Sequence, residues 1–390
     1  AHHHAAAGTT VAPAWCARAA AAANEQGRHD DALSYVDRGL DRLALVDGAD
    51  QDPEQRCDLL IARSHAVSRT RPTEALAAIR VAFDAARALG DGIRMAEVFK
   101  MFSFGSTAEN DTERPAMLRE TIALLPVGTD RRVALEGALL ALEWRHPELE
   151  GADAVARIHE MTAITAGHND DGLGALRYQQ STAANNASVA LDAGEPRLAL
   201  SLVADLPEAG SGMPTSRLKA VASLQLGRRD DFDSYMSEFA SSNELRPWFS
   251  PVGYHQQFEC LRMLLDGAFG EVDQQVAAIR ATSVREPNFE LGCITQLGWR
   301  DVEIGQASEQ ADSTAQLIAF LPDFPVLRAQ LAWQLAEAGR VSEARDLLDE
   351  LAPDDFAAAG RGWLSSASFA YLAYAAIGTN SVHHAAVLRH

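Results

Sequence analysis

The sequence predicts an all-α protein, a right-handed α-solenoid of about nine helical hairpins, and three observations predict it. A frame of a small residue, a glycine seven places later and an alanine five places after that recurs along the chain. Of the 390 residues 47% are apolar but only 7% aromatic, and alanine dominates the apolar share, which favours helix over sheet. Pro72, Pro115, Pro147, Pro196, Pro207, Pro287 and Pro353 fall where one apolar period ends or the next begins, and none interrupts a long one.

Taken in order, residues 1–10 hold three histidines among small residues, without the basic and apolar regions of a signal peptide, and read as a residual purification tag or linker. Residues 11–390 read as one array, divergent over 11–170 and more regular over 171–390. Its first hairpin has Ala19 and Ala20 before Gly27, then Ala32, Val36 and Leu40. Over 50–170 no turn glycine keeps the frame, yet 75–91, 132–143 and 152–165 hold the rhythm of paired helices. Gly194, Gly227, Gly267, Gly305, Gly339 and Gly378 then follow at intervals of 33, 40, 38, 34 and 39 residues, about one helix–turn–helix unit each. The clearest unit is 325–352, where Leu331, Ala332 and Leu335 form one apolar stripe, Gly339 turns the chain, and Ala344, Leu348 and Leu351 form a second. The acidic doublets Asp30 and Asp31, Asp230 and Asp231, and Asp354 and Asp355 read as helix starts, where carboxylates oppose the positive dipole end.

Charge excludes some functions. Lys plus Arg number 34 against 54 Asp plus Glu, a net charge of −20, so the chain offers no electrostatic footprint for a phosphate backbone. Only Lys100 and Lys219 are lysines, and neither sits in a Gly-Lys-Ser/Thr context, so there is no P-loop. The apolar run 367–377 is about half of a membrane span. Cys16, Cys57, Cys260 and Cys293 are scattered without metal or disulfide spacing, which fits a reducing, cytoplasmic setting.

No catalytic constellation completes itself. His159 and Glu160 begin a zincin pattern that Ala163 breaks. The stretch Asp230, Asp231, Phe232, Asp233 and the stretch Asn169, Asp170, Asp171 lack the spacing of a magnesium–diphosphate site. Gly210, Ser211 and Gly212 are too close for a nucleophile elbow. His383, His384 and His390 read as a solvated chain end. The expectation is therefore no cofactor, no metal and no catalytic residue. Asn185 and Asn186, polar and mid-helix, have no account at this level.

What remains is a wall. If residues six places before a turn glycine face inward, Trp299 and Trp333 occupy adjacent rungs ahead of Gly305 and Gly339. Tyr254 and Gln257, thirteen and ten places before Gly267, map to the same face one unit earlier. Aromatic side chains give large contact area at small entropic cost and suit a peptide or small effector. The alternative is that the tryptophans pack between units.

The small-Gly-Ala frame resembles the tetratricopeptide (TPR) repeat. Over 285–390 the chain also resembles the C-terminal helical region of large bacterial signalling proteins. The features that carry it are Phe324 and Pro325, the Gly339 and Ala344 turn, the segment from Leu351 to Phe356, and the small-residue helix before Ala385, Ala386, Val387 and Leu388. Those proteins join a class III adenylate/guanylate cyclase domain or a LuxR-type DNA-binding domain to an ATPase module and a TPR-like array. The resemblance implies a sensory or scaffolding array that binds a protein, a peptide or upstream domains of the same polypeptide, with a sugar or nucleotide effector as the alternative; a homo-oligomer is compatible with it. Neither the cyclase nor the ATPase signature occurs in this sequence, so no catalytic residue carries over. The chain reads as cut inside the second helix of a pair, and the interval from Gly378 to Ala385 is about two residues too long for the frame.

Overall fold

A computed structural model describes residues 12–45, 52–71, 74–100, 113–144, 149, 151–166, 173–206, 215–245, 252–282, 287–320, 324–359 and 365–389. Among them are twenty-one α-helical segments and no strand. The first seven are α1 (Ala12–Glu25), α2 (His29–Ala44), α3 (Pro53–Thr70), α4 (Ala75–Ala88), α5 (Gly92–Val98), α6 (Glu113–Leu124) and α7 (Asp130–Glu143). Then come α8 (Gly151–Ala166), α9 (Leu173–Asp192), α10 (Pro196–Val203), α11 (Thr215–Gln225), α12 (Arg229–Leu245), α13 (Val252–Leu265) and α14 (Phe269–Thr282). The last are α15 (Pro287–Ile304), α16 (Ala311–Phe320), α17 (Pro325–Glu337), α18 (Val341–Leu351), α19 (Pro353–Phe356), α20 (Ser365–Gly378) and α21 (Val382–Val387).

One turn is used again and again. Gly27, Gly90, Gly194, Gly227, Gly267, Gly305, Gly339 and Asn380 all have φ between 51° and 78°. At each, the amide one residue further on donates to the carbonyl five residues behind it, at 2.8–3.2 Å. That is the Schellman closure, which satisfies the orphan carbonyls of one helix and needs a left-handed residue, hence glycine or asparagine. Two sequence assignments change here. Gly90 makes the same turn inside the stretch that had seemed to lack one, though Phe83 and Met95 stand at the flanking frame positions, and Gly378 ends α20 while Asn380 makes the turn. Asn380 precedes Ala385 by five residues, as Gly339 precedes Ala344, and the amides of Ala385 and Ala344 make matching bonds to Ser381 and Arg340. The two-residue discrepancy at the last unit therefore belongs to the choice of turn residue.

Packing is local. Helices in substantial contact are no more than three places apart in order, and α1 with α3, α3 with α5, α7 with α9, α9 with α11 and α13 with α15 pack across the intervening helix. The buried apolar side chains accordingly form seven successive clusters, from Cys16, Ala20 and Val36 at one end to Trp333, Leu348 and Tyr371 at the other. Helices alternate in character. α18 buries only Ala344, Leu348 and Leu351, the stripe read from the sequence. α17 buries not one stripe but everything from Val326 to Ala336 except Arg328, including Gln330 and Gln334, because it has neighbours on several sides.

Pro53, Pro196, Pro325 and Pro353 begin helices, where the missing amide costs nothing, and Pro287 and Pro115 lie in first turns. Pro72, Pro147 and Pro207 lie outside the described residues, as do Asn169, Asp170, Asp171, Gly210, Ser211, Gly212 and His390. Asp30, Asp31, Asp230 and Asp231 sit in first turns. Asp354 and Asp355 do not open an ordinary helix: with Phe356 they take φ values of 53°, 57° and 62°, a left-handed bend that seats the fully buried Phe356 ring edge-on to His384. All four cysteines are buried and free, and no helix among the described residues is long and apolar enough to cross a membrane.

Candidate functional site

Trp299 on α15 and Trp333 on α17 meet through a residue the sequence reading had not singled out. The Tyr371 ring on α20 lies between them, 5.1 Å from Trp299 at 21° and 5.6 Å from Trp333 at 15°. Tyr374, one helical turn on, sets its edge toward Trp299 at 6.3 Å and its tilted ring toward Trp333 at 6.2 Å. Offset stacks and edge contacts of this kind add stabilisation beyond the area they bury.

The cluster is layered by exposure. Trp333 and Tyr371 are buried, Trp299 is half-buried, and Tyr374 is 42% exposed. Beneath them the Tyr371 hydroxyl donates to the Thr295 carbonyl at 3.2 Å, and burial with Asp301 nearby pushes its phenol far above the usual range. Asp301, itself buried, is paired to Arg300, which also reaches Asp273; burial nonetheless raises the Asp301 carboxyl. Gly298 makes this closeness possible. A Cβ there would stand 2.6 Å from the Tyr371 hydroxyl and 2.7 Å from Gln330 Nε2. Gly298→Ala is expected to cost about 1–3 kcal/mol, read from urea unfolding, because phenol and amide must both give way.

Counting back from the turn residues shows why these side chains converge. Trp299, Trp333 and Tyr374 each stand six places before the left-handed residue, Gly305, Gly339 and Asn380; Gln296, Gln330 and Tyr371 each stand nine before it. Three units thus present the same two positions to one wall. Gln330 and Gln334 are buried, and Gln330 Oε1 and both amide atoms of Gln334 have no hydrogen-bond partner. Of the other sequence candidates, Gln257 lies over Gly292, whose Cβ would come 2.3 Å from its Nε2, and its carbonyl accepts from Gln296 Nε2 at 2.6 Å. Tyr254 is on α13, but its side chain lies outside the described residues. Asn186 is buried on α9 against Gly137 of α7.

A second polar centre escaped the sequence reading. Glu97 Oε1 accepts from the Tyr178 hydroxyl at 2.8 Å and from Arg131 Nη2 at 3.2 Å, while Lys100 stands 3.5 Å from Oε2. The His65 ring donates from Nε2 to the Glu97 carbonyl at 2.8 Å. Burial pushes the Glu97 carboxyl up, but Lys100, the Tyr178 hydroxyl and Arg131 together outweigh it and hold it below the usual range. Burial drives His65 down to about 4, and burial with Glu97 drives Tyr178 up to about 12. A general acid or base at neutral pH needs a pKa near 7, and these groups are displaced the other way. The network fastens α3, α5, α7 and α9 to one another.

His383 is exposed, as expected of a solvated chain end, but His384 is not: it is buried, bonded to Ser381 Oγ at 2.8 Å and 3.1 Å from Asp349. No group of three or more metal-binding side chains occurs among the described residues. Two open hollows occur among the described residues: one of about 430 Å³ is bordered by Arg119, Arg132, Arg157, Leu139 and Met161 together with Glu136 and Glu160, and one of about 240 Å³ by Ala311, Arg340 and Leu331 of α17. No protein family, no curated protein and no solved structure matches the chain.

Proposed function

We propose that this chain is a non-catalytic interaction or sensor array of TPR-like helical hairpins, wound as a right-handed α-solenoid within a larger bacterial signalling or transcription-regulatory protein. It binds a protein or peptide segment, or upstream domains of its own polypeptide, along the wall of α13, α15, α17 and α20. The observation that carries the reading is the repeated rung of Trp299, Trp333 and Tyr374 at one fixed distance from the turn, with its outer members still open to solvent. Local packing and serial core clusters support the array. A half-buried tryptophan beside an exposed tyrosine, backed by a rigid stack, is the form an interface anchor takes.

Panning a displayed random-peptide library against the whole chain tests this. Binders are expected to lose at least about tenfold in affinity to Tyr374→Ala and to Trp299→Ala, each folded by circular dichroism. A library that yields no binder, or binders indifferent to both substitutions, sinks the reading. A second reading, a small effector such as a sugar or nucleotide, is favoured by the hollow of about 430 Å³, whose size suits a small ligand. Its rim alternates arginines with carboxylates, Arg119 and Arg157 being paired to Glu143 and Arg132 to Glu136. A thermal-shift screen separates the two, since a surface that serves only proteins gives no ligand-dependent rise in melting temperature.

A further inference from the structure

Helix α20 presents two unlike faces. Ser368, Tyr371, Leu372, Ala375 and Ala376 are buried against its neighbours. At 100° per residue, Ser366, Phe369, Ala370, Ala373, Tyr374 and Ile377 form a stripe about 140° wide on the other side. That stripe is open: Phe369 is 39% exposed, Tyr374 42% and Ile377 72%, and Val382 at the head of α21 adds 78%. Four of the large apolar side chains exposed among the described residues are therefore gathered within fourteen positions, from 369 to 382. A patch of this kind on a water-facing helix marks a contact surface.

The order of side chains says what fits it. Run antiparallel against a copy of itself, the stripe sets Ser366 opposite Ile377, Phe369 opposite Tyr374 and Ala370 opposite Ala373, each pair symmetric about the peptide bond between Tyr371 and Leu372. The two alanines at the centre let the helix backbones approach closely, and the flanking pair is aromatic on aromatic. A surface that matches itself under a two-fold axis is what an isologous dimer requires, and it closes at two copies. Charge points the same way. The chain carries a net charge of −20, yet no acidic or basic side chain occurs from 362 to 382, so two copies meet here without bringing carboxylates together.

We infer that the chain forms a two-fold dimer through the antiparallel pairing of α20 with α20 of a second copy. One helix pair of this length lies at the small end of specific interfaces, roughly 1,200 Å² in total, so the dimer is sought across micromolar concentrations. The dimer shares Tyr374 with the aromatic wall, so a second copy and a peptide compete for that ring; Tyr374 is left intact in the tests below, so that loss of self-association is not itself loss of the wall.

Velocity sedimentation of the full chain across micromolar concentrations is expected to give a species of about twice the 41.9 kDa chain mass. Phe369→Glu and, separately, Ala373→Glu should each weaken the dimer at least about thirtyfold with the circular-dichroism spectrum unchanged, since Phe369 is partly exposed and Ala373 is not among the buried residues of α20. Because the four native cysteines are buried, the double variant Ala370→Cys/Ala373→Cys should form, on mild oxidation, a covalent dimer whose bond joins 370 of one copy to 373 of the other. A chain that stays monomeric throughout, a dimer indifferent to both charge substitutions, an assembly that keeps growing beyond two copies, or no 370-to-373 bond overturns the inference. Should one glutamate variant misfold, the other variant and the cysteine pair still decide it.

Discussion

Replacing Trp333 by alanine is expected to cost about 3–5 kcal/mol, the largest single-residue loss in the C-terminal third, because a fully buried indole leaves a cavity that its rigid neighbours cannot fill. The ring is 2% exposed and stacks on Tyr371, which in turn stacks on Trp299, so removing it strips one side of a three-ring pile. Urea unfolding followed by far-ultraviolet circular dichroism reads the effect. If the hairpins depend only on their neighbours, α15 to α21 melt first and the transition splits in two. Trp299→Ala, at a half-buried position, should cost clearly less and act mainly on binding. Equal stability losses for the two variants, or a Trp333→Ala protein that melts like the parent, contradict the layering of buried and open rings.

The contrast between those tryptophans shows what was legible beforehand. Both stand six places before a turn glycine, so the sequence spacing pairs them, and the structure stacks both on one tyrosine. Their difference in depth has no sequence signal. It arises because α20 lies over α17, so the second rung is covered where the first is only flanked. Tyr374 was legible in principle, and taking Gly378 for the turn hid it: with Asn380 in the left-handed position the same count of six reaches it directly. Asparagine tolerates that conformation through its short polar side chain, so a search confined to glycine misses such a turn. Gly90 shows the opposite case, a glycine in plain view that was not counted because no regular interval led to it. The amphipathic second helix, with Ala344, Leu348 and Leu351, was read correctly; the first helix was not, since a helix enclosed by neighbours loses the polar face that makes a stripe visible.

Acidification should expose the network around Glu97, which no spacing rule could reveal because Glu97 and Tyr178 are 81 residues apart and bring in His65 and Arg131 from two further helices. His65 is buried in the fold, where its imidazole protonates only near about 4, against 6.5 for an ordinary histidine. The sign follows from proton counts. Between pH 6.5 and 4 the unfolded chain holds the proton and the folded chain does not, so stability falls as the pH falls across that window and is unaffected above it. A displacement of this size is on the order of 3 kcal/mol. Glu97, whose carboxyl is held below its usual range, also withdraws stability on acidification, but only below about pH 4.5, so the two contributions separate along the pH axis. His65→Gln keeps a donor for the Glu97 carbonyl while removing the titration. It should therefore lessen the dependence of the urea midpoint on pH between 6.5 and 4, leaving the part due to His29, whose imidazole burial also pushes down, and leave the fall below that range in place. A variant whose profile parallels the parent's through this window would mean that the ring is solvated, and that the fastening of α3 to α5 is looser than the 2.8 Å contact requires.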